Sequence, residues 1–106
     1  MAGNLNISEL IKALEAEFDL DHGFLGQLRQ GNFDPSGLQR LITLLESIDL
    51  GDELAIDRRL VSLLWMLPTF MEWQVERVAE NGGDIVQLWH GIDKARRILY
   101  SLLGMP

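Results

Sequence analysis

The sequence predicts an all-α protein, a compact bundle of about five helices with a kink or break near Pro68. Apolar residues recur at helical spacing through most of the chain, and no sustained period-two segment rich in β-branched residues interrupts them. Glycine or asparagine stands where several of these segments should stop. The chain has 106 residues, 47% of them apolar, which suits a single helical domain over residues 1–106 with its own core.

The first three helices are predicted from their caps and stripes. Asn6 can cap the first helix, with Glu9 three residues on completing a capping box. A short second helix is predicted over residues 23–30. The third has the clearest start signal, with Asp34 at the N-cap and Pro35 at the first helical position. The apolar stripes of the first and third helices are Ile7, Leu10, Ile11, Leu14 and Phe18, and Leu38, Leu41, Ile42, Leu45 and Ile48.

The fourth helix is predicted to begin near Asp52 and Glu53, after Gly51 ends the third. Carboxylates favour a helix N-terminus because they complement its dipole. Pro68 must break or kink this helix, since proline has no N–H to donate. Helical spacing resumes after Pro68 and stops at the Asn-Gly-Gly run of residues 81–83.

The last helix is predicted to begin at the capping residue Asp84 and to end at Gly104. Its stripe includes Ile85, Leu88, Trp89, Ile92, Leu99 and Leu102. Trp65 and Trp89 fall within apolar stripes of their helices, so we expect both indole rings in the core.

Composition excludes several classes of protein. Cysteine is absent, which rules out disulfides, thiolate zinc sites and thiol catalysis and suits a reducing cytoplasm. The N-terminus has no basic region followed by an apolar run, so we expect no secretory signal. The longest uncharged apolar segment covers residues 60–71, too short to cross a membrane. We therefore expect a soluble, cytoplasmic protein.

Charge is strongly asymmetric along the chain. The net charge is −7; residues 1–57 contain 11 acidic and three basic residues, whereas residues 58–106 contain five acidic and six basic residues. Direct nucleic-acid binding is not expected, because neutralising phosphates requires a basic face. A basic protein is the natural partner of an acidic half, and solvated surface charge is the alternative explanation.

An acidic cluster occupies residues 46–57 and holds Glu46, Asp49, Asp52, Glu53 and Asp57 without any base. A helix start would account for Asp52 and Glu53. The pairs Glu46–Asp49 and Glu53–Asp57 have the spacing of like charges on a helix, each costing a few tenths of a kcal/mol. Local stability therefore does not explain the cluster, which is either a partner surface or a solvated corner between helices.

A second acidic set lies after Pro68. Glu72, Glu76 and Glu80 recur every four residues and would share one helical face, with Arg77 screening it only partly. Trp73 lies beside this set as a candidate aromatic anchor. The set is a candidate partner surface, with an ordinary solvated face as the alternative.

Metal-binding and catalytic motifs are missing from the sequence. Asp19, Asp21 and His22 offer three ligands without a further set nearby, and the calcium-loop and HExxH patterns do not occur. His90 and Asp93 could form an acid–base pair, although Asp93 is better placed to pair with a base four residues on. We expect no cofactor and no enzymatic activity, and keep a small carboxylate- or histidine-dependent enzyme or metal protein as an alternative.

Small size, absent cysteine, helical pattern and acidity together resemble the small immunity proteins of bacterial toxin systems. Nuclease-colicin immunity proteins often carry adjacent tyrosines in an acidic helical face, whereas this chain has only Tyr100. The resemblance implies an inhibitor that covers the cationic cleft of a basic toxin, such as a nuclease. Its main contact would be formed by Asp49, Asp52, Glu53 and Asp57. The second set, Glu72, Glu76 and Glu80, would be a secondary contact, or the primary one if the fold hides the first. A homo-oligomeric structural or adaptor protein is the alternative, suggested by the three tryptophans.

Overall fold

The computed structural model describes residues 6–51 and 55–104, in which every regular element is a helix. The predicted all-α class is confirmed. The helices are α1 (Ile7–Ala16), α2 (Phe24–Arg29), α3 (Pro35–Glu46), α4 (Arg58–Trp73), α5 (Val75–Glu80) and α6 (Ile85–Leu103).

The long C-terminal helix α6 organises the bundle. It packs against both α3 and α4 and also contacts α5, while α1 packs on α4 and α2 on α3. The shared core is built mainly of leucine, and its fully buried members include Leu25, Leu41, Leu45, Leu60, Leu64, Leu67, Met71, Leu88 and Ile92. In the two described ranges, no helix is both long and apolar enough to cross a bilayer.

The predicted caps of α1, α3 and α6 are confirmed. The Asn6 side chain accepts the Glu9 N–H at 2.8 Å, and the Glu9 carboxylate accepts the Asn6 N–H in return. The Asp34 carboxylate accepts the N–H of residue 36 at 3.1 Å, with Pro35 at the first helical position. Asp84 accepts an N–H in the first turn of α6 at 3.0 Å. Polar caps therefore define these helix starts as the sequence indicated.

The start of the fourth helix is a correction. α4 begins at Arg58, and the predicted start near Asp52 and Glu53 is wrong because the residues just before Asp57 are not helical. Asp57 is the N-cap instead, since its carboxylate accepts the N–H groups of Arg59 and the next residue at 2.9 and 3.1 Å. Asp52 and Glu53 themselves lie outside the described residues.

The interruption expected near Pro68 lies further along the chain. α4 continues as an α-helix through Pro68, which is buried in the core, and ends at Trp73. The interruption is at Gln74, whose N–H donates to the Met71 carbonyl at 3.1 Å in a tightened last turn. α5 follows after this single residue, so the two helices meet at Gln74.

Glu17, the residue directly after α1, supplies the hydrogen-bond acceptors for the first N–H groups of α2. The Glu17 carboxylate accepts the Phe24 N–H at 3.0 Å, and the Glu17 carbonyl accepts the N–H groups of Leu25 and Gly26 at 2.7 and 3.0 Å. Arg40 of α3 donates two further bonds to the same carboxylate, at 2.9 and 2.8 Å. These bonds from Glu17 raise the pKa of Arg40 above its ordinary value. Glu17 therefore holds α1, α2 and α3 together.

Two glycines make this junction possible. A Cβ on Gly26 would lie 1.9 Å from the carbonyl oxygen of Asp19, and one on Gly23 would lie 2.3 Å from that of Glu17. Only glycine allows the backbones to approach this closely. Gly23 and Gly26 weaken the helical pattern of residues 23–30, yet the packing of α2 against the end of α1 requires them.

Candidate protein-binding surface

The described carboxylates of the first acidic cluster have partners within the chain. Asp49 accepts the Gly51 N–H at 2.9 Å, in a turn where Gly51 has a φ of +59°. Glu46 lies 3.8 Å from the Lys94 ammonium of α6, and Asp57 caps α4. Each of these three acids therefore has a bond within the chain, whereas the expectation for the whole cluster stays a prediction because Asp52 and Glu53 lie outside the described residues.

One predicted like-charge pair of this cluster, Glu46 and Asp49, does not share a helix. α3 ends at Glu46, so Asp49 lies beyond the helix rather than one turn along it, and the repulsion expected from helical spacing does not apply to this pair. The second pair stays a prediction, because Glu53 lies outside the described residues.

The second acidic set is divided between two helices. Glu72 belongs to α4 and forms an ion pair with Arg96 of α6, in which both side chains are about one-third exposed. Glu76 and Glu80 belong to α5, where a spacing of four places them on one face. The three acids therefore do not form one continuous helical ladder, because Gln74 interrupts it.

Glu76 and Glu80 are uncommitted acids, meaning that their carboxylates have no bonding partner among the described residues. Within residues 6–51 and 55–104, they and Asp21 are the carboxylates that form neither an ion pair nor a side-chain hydrogen bond. Arg77 forms no ion pair with either of them, and its guanidinium donates instead to the Arg29 carbonyl at 2.6 Å. Two exposed carboxylates on α5 are thus available to a partner.

All three tryptophans are exposed. The exposed fractions are 61% for Trp65, 63% for Trp73 and 42% for Trp89, so the core prediction for Trp65 and Trp89 is wrong. Each of these two follows a fully buried leucine, at positions 64 and 88. One residue turns a helix by about 100°, which moves each ring from the buried stripe to its edge.

Trp73 and the uncommitted acids of α5 lie close together in the sequence and are the candidate binding residues. Trp73 is the last residue of α4, and Glu76 and Glu80 follow on α5 across the single residue Gln74. All three side chains are exposed. We call Trp73, Glu76 and Glu80 the acidic–aromatic surface.

A separate groove lies between α4 and α6. Trp65, Pro68 and Thr69 line it from α4, and Leu99 and Tyr100 line it from α6. Its volume is about 290 Å³, and Tyr100 is 48% exposed. An exposed aromatic side chain therefore stands on each helix beside an open, mainly apolar groove, which we call the α4–α6 groove.

The histidine sites form local contacts only. Asp19 accepts the backbone N–H groups of His22 and Asp21 at 2.8 and 3.2 Å, and these bonds, with that of His22 first, hold the pKa of Asp19 below its usual range. Asp93 pairs with Arg97 at 2.9 Å, as its spacing predicts. Among the described side chains, no group of three or more acids and histidines is placed to hold a metal ion.

No protein-family model, curated protein or solved structure matches this chain. The functional assignment therefore rests on the surface chemistry of the chain itself. Sequence reasoning found Trp73, Glu76 and Glu80 but missed the α4–α6 groove, with Trp65 and Tyr100 at its sides. The available signal was the position of Trp65 directly after Leu64, off the centre of the apolar stripe.

Proposed function

We propose that this chain is a protein-binding inhibitor that engages a basic protein through the acidic–aromatic surface. One observation carries the proposal: the exposed Trp73 ring lies next in sequence to a helix with two carboxylates, Glu76 and Glu80, that have no described partner. Buried aromatic anchors surrounded by polar contacts are the usual energetic centre of a protein interface. Uncommitted carboxylates can pair with lysine or arginine without first breaking a bond inside the chain.

The net charge of −7 supports a basic partner. Opposite charge accelerates encounter and excludes wrong partners, while the aromatic ring supplies desolvated contact area. Because a nuclease cleft must be cationic to hold phosphates, an acidic surface can occupy it in place of nucleic acid. Together with the resemblance to bacterial immunity proteins, this chemistry makes a toxic nuclease in the cytoplasm our specific proposal for the partner.

The first acidic cluster takes a secondary role in this proposal. Glu46, Asp49 and Asp57 have bonds inside the chain, so they contribute to the negative field that attracts a basic partner and not to direct contacts. Asp52 and Glu53 belong to the same segment in sequence and add to the same negative charge. Glu72 helps to orient the surface through its ion pair with Arg96.

Self-assembly is the second candidate function. It is favoured by a different observation, the exposed aromatic side chains of Trp65 and Tyr100 beside the α4–α6 groove. Exposed apolar grooves of this kind mark interaction sites more often than ordinary surface.

The experiment begins with affinity capture from native lysate at low salt, elution by a salt gradient and mass spectrometry of the eluted proteins. Association of the recovered basic protein is then measured with wild type and with Glu76→Lys, Glu80→Lys and Asp21→Lys. These variants change net charge equally, but only the first two lie on the proposed surface. We expect both α5 variants to slow association about tenfold or more and to reduce its salt dependence.

Asp21→Lys is the matched control, because Asp21 is exposed and equally uncommitted. A modest slowing from the lost overall field is expected for it. Equal slowing in all three variants would show that net charge acts without this surface, and recovery of no basic protein would contradict the proposal itself.

A further inference from the structure

We infer that Asn81 is a deamidation site whose reaction is slowed by the fold. Asn81 is the one asparagine in the sequence that is followed by glycine. Glycine has no Cβ, so the backbone nitrogen after the asparagine is open to react with its side chain. Asn81 is exposed directly after α5, and a Cβ built on Gly82 would meet no atom within 4 Å. The inference concerns the chemistry of the chain itself and does not depend on the proposed partner.

The reaction balances with water alone. The Gly82 amide nitrogen loses its proton and attacks the side-chain carbonyl carbon of Asn81. A new C–N bond forms, the bond to the side-chain nitrogen breaks, and that nitrogen takes up a proton and leaves as ammonia. Water then opens the cyclic imide at either carbonyl, which yields aspartate or isoaspartate. The chain therefore gains one carboxylate, directly after Glu80 in the sequence.

The backbone at this turn is held away from the reacting geometry. The Asn81 ψ is 5°, which aligns the Gly82 nitrogen with the backbone nitrogen of Asn81 rather than with its Cβ. Ring closure needs the Cβ in that place, a rotation of about a third of a turn around the Cα–C bond. The Gly82 N–H also donates to the Ala79 carbonyl at 3.0 Å. The turn must therefore open before the nitrogen can attack.

The side chain is held as well, against the end of α2. The Asn81 amide donates to the Gly31 carbonyl at 3.1 Å. A Cβ on Gly31 would lie 2.3 Å from the same amide nitrogen, so the contact is close. One helical turn earlier, the Arg77 guanidinium donates to the Arg29 carbonyl at 2.6 Å. Both bonds join α5 to the end of α2, so ring closure requires this α2–α5 contact to open together with the turn.

Deamidation also keeps the contact from closing again. A carboxylate has no N–H to donate, so the product presents an acceptor to the Gly31 carbonyl where Asn81 presents a donor. Two facing acceptors repel one another, and the carbonyl loses its partner. The modification therefore weakens the attachment of α5 to α2 irreversibly.

Peptide mapping by mass spectrometry tests the inference on the full chain. The chain is incubated in mildly alkaline buffer, folded in one sample and unfolded by urea in the other, and the conversion of each asparagine to aspartate or isoaspartate is followed. We expect Asn81 to react about tenfold or more faster in urea, because no opening is then needed. Asn32, which precedes Phe33, is the internal control and should stay intact over the same time. An intact Asn81 in urea, or equal rates in the two samples, would overturn the inference.

Matched substitutions identify what slows the folded reaction. Arg77→Ala removes the bond to the Arg29 carbonyl, so Asn81 should react about threefold or more faster in the folded sample and at an unchanged rate in urea. Arg97→Ala removes a surface ion pair on α6 and should change neither rate. Gly82→Ala should slow the reaction in urea about tenfold or more, which is measured whether or not the variant folds. A wild-type rate in folded Arg77→Ala would contradict protection by the α2–α5 contact, and a wild-type rate in Gly82→Ala would contradict the role of the glycine.

Discussion

At the junction of α1 and α2 a buried carboxylate accepts hydrogen bonds from α2 and α3, whereas along α4 large aromatic rings are left in water. Glu17 is 6% exposed, and both of its carboxylate oxygens accept hydrogen bonds. Trp65 and Trp73 on α4 are each more than 60% exposed. The buried Glu17 carboxylate is therefore fully hydrogen-bonded, whereas the apolar rings on α4 stay exposed to water.

The difference separates stability from recognition. Removing a buried charge from its bonds costs free energy in the folded chain, so the junction must be internally complete. Aromatic rings that stay mostly in water contribute less to folding than buried ones, and a partner can bury the area that remains exposed. We therefore expect substitutions at the junction to act on unfolding, and substitutions on the α4 and α5 surface to act on binding.

The largest effect is expected for Gly26→Ala. Its Cβ would meet the Asp19 carbonyl oxygen at 1.9 Å, so α2 would have to leave the end of α1. We expect a loss of at least about 3 kcal/mol in the free energy of unfolding, measured by urea denaturation. Gly82→Ala is the control, since it meets no atom within 4 Å and its φ of +78° costs only about 1 kcal/mol. Equal losses would mean that the junction is not tightly packed.

Glu17→Ala should have the next largest effect. It leaves the Phe24 N–H and the Arg40 guanidinium without their acceptor, at a cost of about 2–3 kcal/mol by the same denaturation measurement. Glu15→Ala is the matched control, because the Glu15–Arg59 pair lies at the surface and contributes about 0.5 kcal/mol. A Glu15 effect as large as that of Glu17 would remove the distinction between buried and exposed pairs.

A pH-dependent effect is expected at the start of α3. Hydrogen bonds from the hydroxyl and the backbone N–H of Ser36 hold the pKa of Asp34 below its ordinary value of 3.8. The folded state thus favours the ionised group, so its stabilisation is present above 3.8 and disappears as pH falls through the lowered pKa. The difference in melting temperature between wild type and Asp34→Asn should therefore shrink in acid. A difference that is constant with pH would contradict this assignment.

The smallest effect on stability is expected for Trp65→Ala and Trp73→Ala. Both rings are mostly in water, so each substitution should change the free energy of unfolding by about 0.5 kcal/mol or less. Leu64→Ala, one position before Trp65 and fully buried, should cost about 2–5 kcal/mol by the same measurement. A loss for Trp65→Ala comparable to that for Leu64→Ala would make the ring a core residue after all.

Local signals predicted much of the fold. Asn6, Asp34 and Asp84 cap their helices because each cap depends on residues within one turn. The start of α4 was missed because the acids at positions 52 and 53 and the acid at position 57 suit a helix start equally well. The structure selects Asp57, whose carboxylate accepts the N–H groups of Arg59 and the next residue.

Long-range features could not be predicted in the same way. The bond from Arg40 to Glu17 joins residues that are 23 apart in the sequence, so spacing gives no signal of it. The exposure of Trp65 depends on which side of α4 faces α6 and α1, which a broad apolar stripe does not define. The candidate surface was predicted in part, because Trp73 lies close in sequence to Glu76 and Glu80.

The most direct test is whether stability and partner binding depend on different residues. It uses one triple variant, Trp73→Ala with Glu76→Gln and Glu80→Gln, in two parallel assays. Its free energy of unfolding is compared with that of wild type, and its affinity is measured for the basic protein that wild type captures at low salt. We predict a change in unfolding of about 1 kcal/mol or less and a loss of affinity of about a hundredfold. Unchanged affinity for that protein would contradict the assignment of the acidic–aromatic surface as the binding site.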